Sequence, residues 1–180
     1  MEIEDLEIQG VKLLKNKLFE DGRGSFFKPF SNDDFLRENL KMEIKEVFYS
    51  ASRRNVIRGM HFQLPPFEQS KLVNVIKGAI TDVMLDLRIN SKSYRKYLAI
   101  EMKESDGISI FIPKGIAHGF LSKSDETILL YMVDNSYSPM HDTGIRFDSF
   151  GYEWKVRTPI LSDRDLSFKQ IKDFDSPFRI

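Results

Sequence analysis

The chain contains no cysteine, which excludes a disulfide framework, a thiolate metal site and a cysteine nucleophile. Neither charge is in excess: 27 Lys and Arg stand against 27 Asp and Glu, so no net field draws the protein to nucleic acid or to an anionic membrane. No apolar run approaches the ~18 residues of a membrane-spanning helix. The opening MEIEDLEIQG is acidic, where a signal peptide needs a basic start and an apolar stretch; the expectation is a soluble, unprocessed, cytoplasmic protein. Internal repeats, low-complexity tracts and Pro/Gly/Ser-rich linkers are missing too. Residues 1–180 therefore read as one domain, long enough to bury a core without covalent staples.

From Glu46 onward the chain consists mostly of strand text. Val47 to Ser52, Val56 to Gln63, Leu72 to Lys77, Ala79 to Leu87, Tyr97 to Met102, Ile108 to Ile112 and Thr127 to Val133 are short and rich in Val, Ile, Phe and Tyr. Gly78, Asn90-Ser91, Asp106-Gly107 and Ser124-Asp125 punctuate them at the spacing of a sandwich or barrel. One helix is expected after Ser31 as cap, with Phe35, Leu36 and Leu40 as its apolar stripe, and a second over Leu166 to Phe174. The fold class is all-β with short peripheral helices.

Histidine is scarce, and two of the three lie in apolar strand text: His61 in Arg58-Gly59-Met60-His61-Phe62-Gln63, and His118 in Pro113-Lys114-Gly115-Ile116-Ala117-His118-Gly119-Phe120. Strict alternation places Arg58, Met60 and Phe62 on one face and Ile57, Gly59, His61 and Gln63 on the other. A buried histidine alone is as readily a hydrogen-bonded core residue as a functional one.

Spacing adds context. The run Gly107, Pro113, Gly115, His118 resembles the second motif of the cupin superfamily, whose fold is a jelly roll, or double-stranded β-helix barrel. The first cupin motif resembles the text at His61, with Glu68 in a plausible ligand place. Its second histidine position is held by Gln63, which leaves too few imidazoles for a metal site, so no metal is expected. Within the cupins, the chain resembles the dTDP-4-dehydrorhamnose 3,5-epimerases and their relatives over nearly its whole length. The blocks that carry the resemblance are Asp21-Gly22-Arg23-Gly24 with Phe26-Phe27, Asn55 to Gln63, Gln69 to Val73, Gly78 to Asp82-Val83, Asp86-Leu87-Arg88, Ile112 to Phe120, Leu130-Tyr131, Tyr137-Ser138-Pro139 and Leu161 to Asp165.

That resemblance implies inversion of carbon 3, carbon 5 or both of a nucleotide-linked 4-keto-6-deoxy sugar in cell-surface polysaccharide biosynthesis. A proton alpha to the ketone is acidic because its removal places charge on the ketone oxygen. The reaction needs a base, a cation at that oxygen and an acid on the opposite face. By resemblance His61 is the base, Asp165 its orienter, Lys71 the cation and Tyr131 the acid, with no cofactor. Taken singly, Lys71 reads as an exposed strand charge, Tyr131 as a packed aromatic and Asp165 as a helix cap; their co-occurrence at family spacing favours the catalytic roles.

Arg23, Arg58 and His118 match family positions that hold the diphosphate and sugar, where the planar guanidinium suits a pyrophosphate. Tyr137 matches an aromatic that stacks on the base. Lys28 stands where the family usually has Glu, and Glu46-Val47-Phe48-Tyr49-Ser50 replaces a stretch that usually reads Gln-Asp-Asn-x-Ser. A different base or stacking arrangement is therefore open, including a guanosine-linked sugar or a heptose. Gln63 and, as milder departures, Asp142 for Glu and Arg164 for Lys complete the expected substrate contacts. Two other readings stay open: a 3,4-ketoisomerase on the same substrates, and a non-catalytic sugar-nucleotide-binding cupin, against which retention of all four catalytic residue types argues. The resemblance also implies a homodimer in which N-terminal strands cross between subunits, although Ile8 to Leu18 could equally complete their own sheet.

Overall fold

Segments rich in β-branched and aromatic residues, cut by glycine and Asn/Asp turns, form thirteen strands and two short helices in the computed structural model, which describes residues 1–180. They are β1 (Glu2–Asp5), β2 (Lys12–Lys15), β3 (Leu18–Asp21), β4 (Gly24–Phe27), α1 (Asn32–Arg37), β5 (Glu46–Ser52), β6 (Ile57–Gln63) and β7 (Lys71–Lys77). There follow β8 (Ala79–Asp86), β9 (Tyr97–Lys103), β10 (Ile108–Ile112), β11 (Ile116–Ser122), β12 (Thr127–Val133), β13 (Asp142–Gly144) and α2 (Asp163–Ser167). No helix is long and apolar enough to cross a membrane.

Two antiparallel sheets result, ordered β1-β2-β10-β7-β12-β5 and β13-β6-β11-β8-β9. The eight strands β5 to β12 are divided as β10-β7-β12-β5 and β6-β11-β8-β9, the jelly-roll arrangement expected from the cupin motifs. The sheets remain two separate hydrogen-bonded units rather than one closed barrel.

Alternation decides what each strand buries. On β8, Ile80 and Met84 point between the sheets, while Val83 and Leu85 face outward. On β11, Ile116, His118 and Phe120 alternate with Ala117 and Leu121 in the same way. The inner layer joins Val73, Val75, Ile110 and Leu129 of the larger sheet to Ile80, Met84 and Phe120 of the smaller. Each such side chain contributes about 1.5–3 kcal/mol by leaving water. Trp154 and Phe178 cover the outer face of the smaller sheet, and Phe35, Leu40 and Met42 cover that of the larger. Val47 and Tyr49 on the edge strand β5 stay exposed.

Two expectations need correction. Ser31 occupies the cap position of α1, but its side chain makes no capping bond, and Leu36 is exposed, while Leu40, beyond the helix end at Arg37, is buried. The second helix runs Asp163–Ser167, and a separate single turn covers Ile171–Asp173. The intervening chain is extended because Phe168 lies over Gly144, too close for any Cβ there, and residues 145 and 169 pair as a bridge. Of the two arrangements open to the early strands, the chain adopts the one in which β2 pairs with β10 and β1 with β2 on its own sheet. What stands apart is the β3–β4 hairpin, a two-stranded sheet with Phe19 and Phe26 exposed.

Candidate active site

Between the two sheets lies a cavity of about 470 Å³, within the range of small-ligand sites, lined among others by Arg58, His61, Lys71, His118, Tyr131 and Tyr137. Strict alternation on β6 had put Arg58 and His61 on opposite faces, yet both line it. The pairing with β11 explains this: His61 sits opposite His118 and Arg58 opposite Phe120, so three steps on β6 match two on β11. One extra residue in the bulge turns Arg58 inward and leaves Ile57 and Met60 outside, in the core beneath Trp154. Gly59 makes the bulge possible. Its φ is +147°, and a Cβ on it would meet the Gly119 Cα at 2.5 Å.

That same Gly59 N–H donates to Asp165 Oδ2 at 3.2 Å, while Asp165 Oδ1 accepts from His61 Nε2 at 2.8 Å. Asp165 is placed by α2, where its own N–H donates to the capping Ser162 hydroxyl at 3.1 Å. Burial acts to raise the Asp165 pKa, but the hydrogen bonds from His61 and Gly59 prevail and hold it below the usual carboxylate range. The pairing occupies Nε2 and leaves Nδ1 of His61 without a protein partner. An imidazole oriented in this way can take a proton at Nδ1 and have the resulting charge stabilised at Nε2.

Lys71, first residue of β7, is buried, and its ammonium donates to the His61 carbonyl at 3.2 Å. Burial pushes its pKa down to about 8 against the pull of Asp142 and Asp82. It remains a cation at neutral pH, in surroundings where a charge acts far more strongly than in water. Tyr131 of β12 is also buried. Desolvation raises its phenol, which stays protonated, while Ser50 and Arg58 act in the opposite direction. His61 projects from the smaller sheet, Lys71 and Tyr131 from the larger. A ligand between the sheets would meet His61 on one side and Tyr131 on the other.

The expected binding residues divide. Glu46, Phe48, Arg58, Gln63, His118, Tyr137, Asp142 and Arg164 all line the cavity. Gln63 does so as part of the wall: its amide donates to the carbonyls of Phe67 and Ser136 and accepts from the Ser138 N–H at 2.6 Å. With no free group left, it holds the Tyr137 loop, to which Glu46 adds a bond from the Tyr137 N–H at 2.9 Å. Arg164 is paired with Asp142 at 2.6 Å and lies over Phe168, whose ring meets His61 edge-on at 5.7 Å. Arg23 and Lys28 are not brought to the cavity. Arg23 lies at the tip of the hairpin, fully out in solvent and clasped by Asp21, and Lys28 follows it on the surface.

Three participants had no expected role. Gln69 lines the cavity and bonds the Asn135 carbonyl at 2.8 Å, and Ser50 lies beside Tyr131. Asp82, fully buried, accepts from His118 Nε2 at 2.6 Å and thereby fixes that ring. An acidic residue within the apolar run Ile80-Thr81-Asp82-Val83-Met84 was the signal for the last.

An oriented histidine, a buried ammonium and a neutral phenol around one cavity of a jelly roll define an enzyme class: an isomerase that moves a proton on carbon beside a carbonyl. Comparison with known proteins makes this specific. The chain belongs to the dTDP-4-dehydrorhamnose 3,5-epimerase family, whose model matches residues 5–173. It is 35% identical to the dTDP-4-dehydrorhamnose 3,5-epimerase of Shigella flexneri, over 97% of this chain and 98% of that one. Among solved structures, the enzyme of that name from Bacillus anthracis, with TDP and PPi bound, superposes with a TM-score of 0.90 at 32% identity, covering 94% of this chain and 99% of the other. A dTDP-6-deoxy-D-glucose-3,5-epimerase from Legionella pneumophila, in complex with dTDP-4-keto-L-rhamnose, gives a TM-score of 0.93 at 25% identity, with coverage of 99% and 98%.

Proposed function

We propose that the chain inverts carbon 3, carbon 5 or both of a nucleotide-linked 4-keto-6-deoxy sugar on the way to cell-surface polysaccharide. The observation that carries this reading is the placement of His61 with Asp165 on one sheet and of Tyr131 on the other. His61 Nδ1 takes the alpha proton, the C–H electron pair becomes a C=C bond, and the carbonyl π pair moves to oxygen, where the Lys71 ammonium holds it. Tyr131 then donates its proton to the same carbon from the other side, and the oxygen electrons rebuild the carbonyl. His61 is left protonated and Tyr131 ionised, and exchange with solvent resets both. Arg58 and His118 bind the diphosphate and sugar, and Tyr137 stacks on the base.

The working form is a homodimer. A lone two-stranded hairpin is marginal in water, and Phe19, Phe26, Val47 and Tyr49 expose apolar surface that a second copy would cover. The hairpin can carry Arg23 and Lys28 to the partner's cavity, and their absence from the lining of their own supports this arrangement. Two experiments test the reading. Incubation of dTDP-linked and GDP-linked 4-keto-6-deoxy sugars in heavy water should give NMR-detected exchange and inversion at carbon 3 or 5; no exchange with either, or full activity in His61→Asn, refutes it. Light scattering should give twice the chain mass.

A further inference from the structure

Strand β5 lies directly against the strand that carries Tyr131. Tyr131 on β12 is the register partner of Phe48 on β5. The two rings stack, with centroids 4.9 Å apart and planes at 15°. Two residues on, and so on the same face of β5, the Ser50 hydroxyl is buried and makes no hydrogen bond to the protein. Ser50 and Tyr131 line the same cavity. The His118 ring meets Tyr131 edge-on at 6.1 Å, from the facing sheet. The Tyr131 ring is thus held on a face by Phe48 and at an edge by His118, with the unpartnered Ser50 hydroxyl on the same cavity wall.

We propose that Phe48 and Ser50 are positioning residues that seat Tyr131, and that this seat decides whether a deprotonated carbon is inverted or merely exchanges its proton. Once His61 has removed a proton the enolate has two fates. Reprotonation by His61 from its own face restores the starting configuration and leaves a solvent-derived hydrogen. Reprotonation by Tyr131 inverts the centre. The first path needs His61, Asp165 and Lys71 alone. The second also needs the phenol oxygen aimed at carbon, and a tyrosine with one loose face has more directions in which to aim it. Phe48 limits the ring to one tilt, and Ser50 can donate to the oxygen as it becomes phenolate, where a buried anion otherwise has no donor.

This inference rests on the epimerase reading, and the experiment separates the two. Deuterium incorporation and inversion are followed together by NMR with a dTDP-linked 4-keto-6-deoxy sugar, for the wild-type protein and for Phe48→Ala, Phe48→Tyr, Ser50→Ala and Ser50→Thr. In Phe48→Ala inversion should fall relative to exchange by roughly three- to tenfold, the range expected for loss of one aromatic pair. Phe48→Tyr keeps the stack and should restore the ratio. Ser50→Ala should lower the ratio as well, with Ser50→Thr restoring it. Parallel loss of exchange and inversion in both alanine variants overturns the proposal in favour of a packing role. A raised KM with an unchanged ratio overturns it in favour of a simple substrate contact. A wild-type protein that exchanges no proton overturns the functional reading, and this inference with it.

Discussion

Lys71 is 9% exposed, and its burial is what brings the ammonium from an ordinary lysine value down to about 8, despite Asp142 and Asp82 nearby. The gap from about 10.4 corresponds to roughly 3 kcal/mol of strain in the folded protein at neutral pH. The sign follows from the direction. A group whose folded pKa is depressed adds stability above its unfolded value and loses it as pH falls through the folded one, so the cost is full below about pH 8 and gone above about 10.4. Lys71→Met keeps most of the side-chain volume and removes the charge. It also removes the bond to the His61 carbonyl, worth about 1 kcal/mol. The variant should therefore be more stable than wild type by about 2 kcal/mol at pH 7, seen as a higher urea midpoint with unchanged slope and a Tm raised by roughly 4–8 °C. That advantage should shrink from pH 8 upward. Deuterium exchange should fall roughly 10²- to 10³-fold, the usual loss for one donor at a developing oxyanion. In wild type the exchange rate should decline above about pH 8 as Lys71 loses its proton, and Lys71→Arg should abolish that limb. A Lys71→Met protein less stable than wild type at pH 7, or one that exchanges normally, would refute the argument.

Asp165→Asn should leave the fold intact but cost roughly 10²- to 10⁴-fold in exchange, because the amide no longer stabilises the imidazolium. Because the Asp165 carboxyl is held below its usual range by His61 and Gly59 against burial, its contribution to stability is complete above about pH 4 and is lost on further acidification; acid titration by circular dichroism should show Asp165→Asn without that component. Gly59→Ala forces a Cβ onto the Gly119 backbone at a φ that side chains rarely adopt, and should cost upwards of about 3 kcal/mol in denaturant unfolding, with activity lost in parallel. Gln63→Leu frees the Tyr137 loop: KM for the nucleotide sugar should rise roughly tenfold with kcat little changed, whereas equal loss in both would show that Gln63 acts on the chemistry.

Period-2 apolar text and turn residues were enough to read an all-β sandwich or barrel, because alternation and turn chemistry are local and each strand records them in its own residues; the resemblance of the His61 and His118 motifs to the cupins narrowed this to a jelly roll. Resemblance to a family, carried by motifs in order and spacing, pointed to His61, Lys71, Tyr131 and Asp165, which taken singly read as core, strand or capping residues. Three-dimensional packing decided the rest. A one-residue bulge, set by the Gly59–Gly119 contact between strands far apart in sequence, turned Arg58 into the cavity and cancelled the alternation that any local reading assigns. The Gln63 amide became a clamp because the Ser136 carbonyl and the Ser138 N–H, more than 70 residues away, engage its two ends. Arg23 and Lys28, adjacent to family-like text, lie outside their own cavity because the hairpin is its own small sheet. Thus the sequence determined which chemistry the chain carries. Tertiary structure alone decided which groups meet, because hydrogen bonding, burial and the state of each proton depend on neighbours the chain brings together only by folding.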